Sequence, residues 1–132
     1  TKTKKQIMKK IIILKKAPAP IGPYSHSILV SGNLLFISGQ IPFDAEGNLV
    51  GDNIVSQTHQ SIKNIEAIVN EAGGKLSDIV KVTVFLKDMN DFAQLNDIYT
   101  RTFSAPYPAR EAVQVARLPK DGLIEISVIA MR

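Results

Sequence analysis

The chain has 132 residues, 45% of them hydrophobic and 21% charged, a length and balance that point to one soluble globular domain with a real core rather than a disordered polymer. It contains no cysteine, which excludes a disulfide framework, thiolate metal ligation and a cysteine nucleophile, and fits a reducing compartment. The net charge of +4 is unevenly held: residues 1–16 carry seven lysines and no acid, leaving nine basic against twelve acidic residues elsewhere, a net of −3.

That distribution argues against a basic surface for nucleic acid on the folded body. The opening "TKTKKQIMKKIIILKK" reads as a solvated lysine extension, 1–16, leading into a single domain over 17–132. Its "IIIL" is far shorter than the about 7–15 apolar residues of a signal peptide, and Met8 is a candidate natural start. No apolar run approaches the ~20 residues of a membrane helix.

"KKAPAPIGPYS", 15–25, reads as an extended loop. "SILVSGNLLFISGQIP" then predicts a β-hairpin, with strands at 27–30 and 34–38 and turn residues "SGN" between them. After a glycine-containing loop the period changes. Ile54, Thr58, Ser61/Ile62, Ile65, Ile68/Val69 and Ala72 predict an amphipathic helix, capped by Asp52 or Asn53 and stopped by Gly73-Gly74. "DIVKVTVFLKD" alternates, placing Val80, Val82, Val84 and Leu86 on one face and Lys81, Thr83, Phe85 and Lys87 on the other. A second helix is predicted over 90–103, with Phe92, Leu95, Tyr99 and Phe103 on one side and Pro106 and Pro108 forbidding its continuation.

The order β-hairpin, α, β, α, β, β predicts an α+β sandwich: one mixed sheet with both helices on one face. A doubly wound parallel α/β fold is the alternative, disfavoured by too few βα units and no glycine-rich phosphate loop. The uncovered sheet face, expected to carry Ala112, Ala116 and Ile129, is too apolar for a monomer and predicts a homo-oligomer.

His26 and His59 are the only histidines and read as structural or surface residues; a metal site is not expected. No serine-hydrolase elbow or Walker motif is present. Two charges interrupt strand-like runs: Arg110 in "AREAVQVA" and Glu125 in "IEISVIAM". Alternation groups Arg110 with Ala112, Gln114 and Ala116, and Glu125 with Ser127, Ile129 and Met131, and both charges are expected on the sheet face the helices leave free. They read either as a structural ion pair or solvated edge, or as a carboxylate grip, because a planar guanidinium takes a carboxylate bidentately. Ser38-Gly39 is either a strand-ending turn or a place where a ligand approaches bare backbone. Tyr24 either packs or donates its hydroxyl.

Taken in order, "APAPIGPYS", "FISGQIP", "VFLKDMNDFAQLNDIY" and "YPAREAVQVARLPKDGLIEI" resemble the RidA (YjgF) family of reactive-intermediate deaminases over 17–130. The resemblance implies a chorismate-mutase-like α+β fold, a homotrimer with clefts between subunits, no cofactor and no metal. A cytoplasmic location is expected, with organellar targeting by the basic N-terminus as the alternative. It implies hydrolysis of 2-imino acids or their enamine tautomers, such as 2-iminobutanoate and 2-iminopropanoate, to 2-oxo acids and ammonia. Arg110 matches the arginine of "PAR" that binds the substrate carboxylate, and Glu125 the glutamate of "IEI" that positions water. Tyr24 matches the pocket tyrosine of "GPY", Ser38 and Gly39 the "SGQ" turn beside the substrate, and Asn96 the asparagine of "NDFxxxN". Ala112 stands where many members have cysteine, so only its backbone carbonyl can serve. Glu111 replaces a small residue; alternation points it away from Arg110, and otherwise it would compete for the guanidinium. A 2-oxo-acid-binding module without turnover, or the endoribonuclease or translation-inhibitor activity ascribed to some relatives, are the competing readings.

Overall fold

A computed structural model describes residues 8–13 and 15–132. Six strands and two helices follow in the order β1 (Met8–Ile12), β2 (Ser27–Ser31), β3 (Leu34–Gln40), α1 (Ile54–Glu71), β4 (Ile79–Leu86), α2 (Phe92–Thr102), β5 (Ala109–Gln114) and β6 (Ile124–Met131). β3, β6, β4 and β5 form a sheet in that spatial order, parallel only between β4 and β5. The α+β sandwich with a mixed sheet and two helices is therefore as expected.

The helices begin and end where local chemistry dictates. The Asn53 side chain caps α1, its Oδ1 accepting from the Ser56 amide at 2.9 Å. Ile54, Thr58, Ile62, Ile65 and Val69 turn inward at helical spacing, and the helix stops before Gly73, whose φ of 85° suits a residue without Cβ. Before α2, Asp88 Oδ1 accepts from the Asn90 amide at 2.8 Å, so Met89–Asp91 form a tight 3₁₀ turn and the α-helix proper starts at Phe92.

Both helices pack on one sheet face. Val82, Val84 and Leu86 of β4 and Ile124, Ile126 and Val128 of β6, all at most 4% exposed, meet Ile65, Val69, Leu95 and Ile98 from the helices. Alternation over Val80–Leu86 of β4 and Ile124–Ala130 of β6 follows from this one-sided burial. Met131, expected outward, is buried at the end of β6. Among the described residues no helix lies over the opposite face of this sheet: Phe36 is 69% exposed and Val113 45%, with Phe85 and Ile129 half-buried between them.

The expected hairpin strands both exist, but among the described residues their ladders run elsewhere. β2 pairs antiparallel with β1, Leu29 opposite Lys10, and β3 pairs with β6. The divergence is set at residues 32 and 33. Gly32 takes φ 140°, and Asn33 exchanges two 2.8 Å backbone hydrogen bonds with Arg132, committing the chain to β6. β2 is completed instead by the lysine-rich segment. The expectation of a solvated tail thus fails for residues 8–12; residues 1–7 lie outside the described residues. Lys9 and Lys10 remain exposed while Ile11 is half-buried opposite Ile28.

Candidate functional site

Arg110 sits on the outer strand β5, whose parallel register with β4 sets it beside Val82. Side chains paired in this way share a face, so Arg110 points to the side the helices cover, where α2 meets it. Its guanidinium carbon lies 4.8 Å from the centroid of Tyr99, 5.4 Å from Phe92 and 5.5 Å from Tyr24. Nη1 donates to Asn96 Oδ1 at 2.7 Å. The cation therefore rests among three rings and one neutral amide, and among the described residues it has no carboxylate partner.

Burial pulls the Arg110 guanidinium below its ordinary value, with Tyr99 and Tyr24 opposing. Arginine's intrinsic basicity still leaves it charged at neutral pH. Burial also pushes the Tyr99 hydroxyl up, and that hydroxyl has no hydrogen-bond partner among the described residues. Tyr24 reaches this corner because its loop is fastened to the start of β5. The Ser25 amide donates to Pro108 O at 3.0 Å, the Ser25 hydroxyl donates to Tyr107 O, and Ser25 bridges Ala109.

A second group lies on the other face. Glu125 is aligned with Phe85 and so shares the uncovered side with Thr83 and Ser127. Between Ile37 and Gln40 the β3–β6 register slips, setting Ser38 and Gly39 against the single residue Ser127. This bulge turns backbone out at an edge strand, and the Gln40 side chain holds it by donating to Ser38 O at 3.1 Å. A Cβ on Gly39 would come within 2.6 Å of the Glu125 carboxyl carbon, so the carboxylate lies directly against bare backbone.

The structure thus separates Arg110 from Glu125, contrary to the expectation of a shared face. They project from opposite faces, two strands and three residues apart in register, about 14 Å within the sheet at ordinary strand spacing. Alternation decides which residues of one strand go together; only register relates one strand to the next. Ala112 moves with Arg110 to the helix side, where it packs half-buried against the core instead of joining the free patch. Ser38 and Gly39 join Glu125; Tyr24 and Asn96 join Arg110.

Glu111 does turn away from Arg110. Lys81 Nζ lies 2.7 Å from its carboxylate and Thr83 donates to it at 3.3 Å; the Lys81 contact holds the carboxyl below its usual range. Competition for the guanidinium is thereby removed. His59 is exposed on α1, and a His26 ring nitrogen meets Pro18 O, both structural placements.

Sequence reasoning missed Phe92 and Tyr99 as parts of this corner, reading them as packing residues. The signal was available: Phe92, Asn96 and Tyr99 follow i, i+4, i+7 and share one stripe of α2. It also missed Gly22, although "GPY" was noted. Among the described residues, no group of three or more acidic or histidine side chains is placed to hold a metal ion, and no helix is long and apolar enough to cross a membrane.

The family model described as endoribonuclease L-PSP matches residues 14–132. A RutC family protein from Pyrococcus abyssi is 54% identical over 125 residues, covering 94% of this chain and 98% of the relative. A 2-iminobutanoate/2-iminopropanoate deaminase from Salmonella typhimurium is 48% identical over 128 residues, covering 95% and 99%. Among solved structures, Escherichia coli TdcF with bound serine is similar with a TM-score of 0.72 and 45% identity, over 93% of this chain and 98% of that one. On the extent of that family match, and on relatives about half identical over nearly their whole length, the chain belongs to the RutC/RidA family.

Proposed function

We propose that this chain hydrolyses 2-imino acids and their enamine tautomers, taking up one water and releasing a 2-oxo acid and ammonia. The observation that carries the reading is Arg110: a partly desolvated cation, oriented by Asn96 and three rings, with no carboxylate partner among the described residues. A half-buried unpaired charge costs stability unless something else neutralises it, and a substrate carboxylate does so bidentately. The deaminase name of the relative from Salmonella typhimurium supports the same chemistry.

In this reading Arg110 fixes the carboxylate, while Glu125 orients the water and moves a proton from it towards the imine nitrogen. One chain carries these two groups on opposite faces, which supports a site completed between copies. One protomer supplies Arg110, Asn96 and Tyr24, and its neighbour supplies Glu125 with the Ser38-Gly39 bulge. The exposed Phe36 and Val113 give that neighbour an apolar surface to cover. We propose a homotrimer on this ground.

The test couples threonine dehydratase to this protein and follows 2-iminobutanoate by semicarbazide trapping. Arg110→Ala is expected to abolish clearance while the melting curve stays that of a folded protein. Undiminished clearance by a folded Arg110→Ala protein rejects the assignment. Saturable 2-oxobutanoate binding without hydrolysis favours a binding module instead. RNA cleavage that survives removal of the lysine-rich segment would favour the family model's endoribonuclease description, against the −3 charge of the body.

A further inference from the structure

Gly22 lies in the loop that presses Tyr24 onto Arg110. A Cβ built on it would stand 3.1 Å from Arg110 Nη2, 3.6 Å from Asn96 Nδ2 and 3.8 Å from the Tyr24 ring. The position therefore touches three residues of the carboxylate corner at once. Its backbone does not demand glycine, because its φ lies outside the left-handed range. Something other than chain geometry makes a side chain unwelcome there.

The guanidinium explains what that is. Nη1 is committed to Asn96 Oδ1, and the three rings occupy the space around the guanidinium plane. Nη2 is the nitrogen that faces Gly22. The Asn96 amide, its oxygen used on Nη1, also turns its Nδ2 donors towards the same glycine. Two sets of N–H donors thus face the position a Cβ on residue 22 would fill, 3.1 Å from Nη2 and 3.6 Å from Nδ2.

We propose that Gly22 is the residue that holds the Nη2 flank of Arg110 open to the second oxygen of a carboxylate, so that the side chain at position 22 sets whether the guanidinium binds a carboxylate with two hydrogen bonds or one. This deepens the imino-acid reading and rests on it for the identity of the ligand. Any side chain here narrows the clamp without touching the Glu125 half. Gly22 is a specificity-determining residue and takes no part in bond making.

The experiment compares the unaltered protein with Gly22→Ala, Arg110→Lys and the double variant. Calorimetry measures the dissociation constant of 2-oxobutanoate. Peptide mass spectrometry measures the rate at which phenylglyoxal, a guanidine-selective dicarbonyl, modifies Arg110. Gly22→Ala is expected to weaken 2-oxobutanoate binding by about tenfold, the loss of roughly one charge-assisted hydrogen bond, and to slow Arg110 modification several-fold, with an unchanged melting temperature. In the Arg110→Lys background, which has no Nη2, Gly22→Ala should add less than a twofold loss. Binding within twofold of the parent overturns the proposal, and so does weaker binding with an unchanged modification rate, since Gly22 would then act elsewhere. Unfolding of Gly22→Ala overturns the proposal as well, since position 22 would then serve the fold rather than the clamp. No binding of 2-oxobutanoate by the unaltered protein overturns the imino-acid reading and the ligand half of this proposal together. The modification rate distinguishes that outcome from a failure of Gly22 to guard Nη2.

Discussion

Glycine at position 39 is a small residue with a large effect on its neighbour. Its missing side chain is the space into which the Glu125 carboxylate folds, and the atoms a Cβ would meet belong to the movable end of that side chain. Gly39→Ala should therefore leave the melting temperature nearly unchanged while displacing the carboxylate by an ångström or more. Mispositioning of that size is expected to cost about 100-fold in turnover, read in the semicarbazide assay. Turnover within threefold of the parent rejects a positional role for the bulge. Residue identities at the site were readable because a charge inside an apolar strand run is conspicuous, as with Arg110 and Glu125. Phe92 and Tyr99 were not, because an aromatic residue on the inner stripe of a helix looks the same whether it packs on aliphatic carbon or on a guanidinium.

At the scale of elements, the helices were legible nearly to the residue because their signals are local. Asn53 offers its side chain to α1 within three residues, and Gly73 ends it by its own backbone freedom. Asn53→Ala should cost about 1 kcal/mol, a fall of a few degrees in melting temperature for a domain of this size, measured by thermal denaturation. Strand pairing was less legible because register is a long-range property. Residues 27–31 and 34–40 follow each other closely, yet one joins the N-terminal strand and the other the C-terminal one. β1 escaped notice since its lysines look like solvated charge, whereas lysine is a suitable residue for an exposed strand edge. Across β4 and β5, Lys81 and Glu111 pair on the open face with side chains 39% and 53% exposed, so the contact is worth under about 1 kcal/mol. Lys81 depresses the folded-state pKa of Glu111, and the contribution is therefore present above the unfolded carboxyl value and fades as pH falls through the folded one. Denaturant titrations should show Glu111→Gln slightly less stable than the parent at pH 7, with the difference shrinking as pH falls below the ordinary carboxyl value. A difference that does not shrink as the pH falls rejects the pair as its source.

At the scale of the whole molecule, one face of the sheet is closed by helices and the other carries Phe36 and Val113 in the open. Phe36→Glu places a charge at the most exposed apolar position of that face, on its edge strand β3, and is expected to yield a monomeric mass by light scattering together with loss of imine clearance. A monomeric mass with full clearance rejects the shared-site arrangement, and an unchanged trimeric mass rejects Phe36 as part of the contact. The asymmetry of the sheet was legible from two helices and alternating strands; which charges lay on which face was not, because no local rule relates β5 to β6 through β4. The fastening of Ser25 to Pro108 has a further consequence, one of timing. The arm that carries Gly22 and Tyr24 is synthesised before its anchor, which follows 83 residues later, on the order of ten seconds at ordinary elongation rates. Until then there is no arginine to surround and no strand to hold the arm. A chain stalled before β5 therefore carries no partial clamp, and the proposed grip on a carboxylate arrives only once Pro108 and Arg110 have been made.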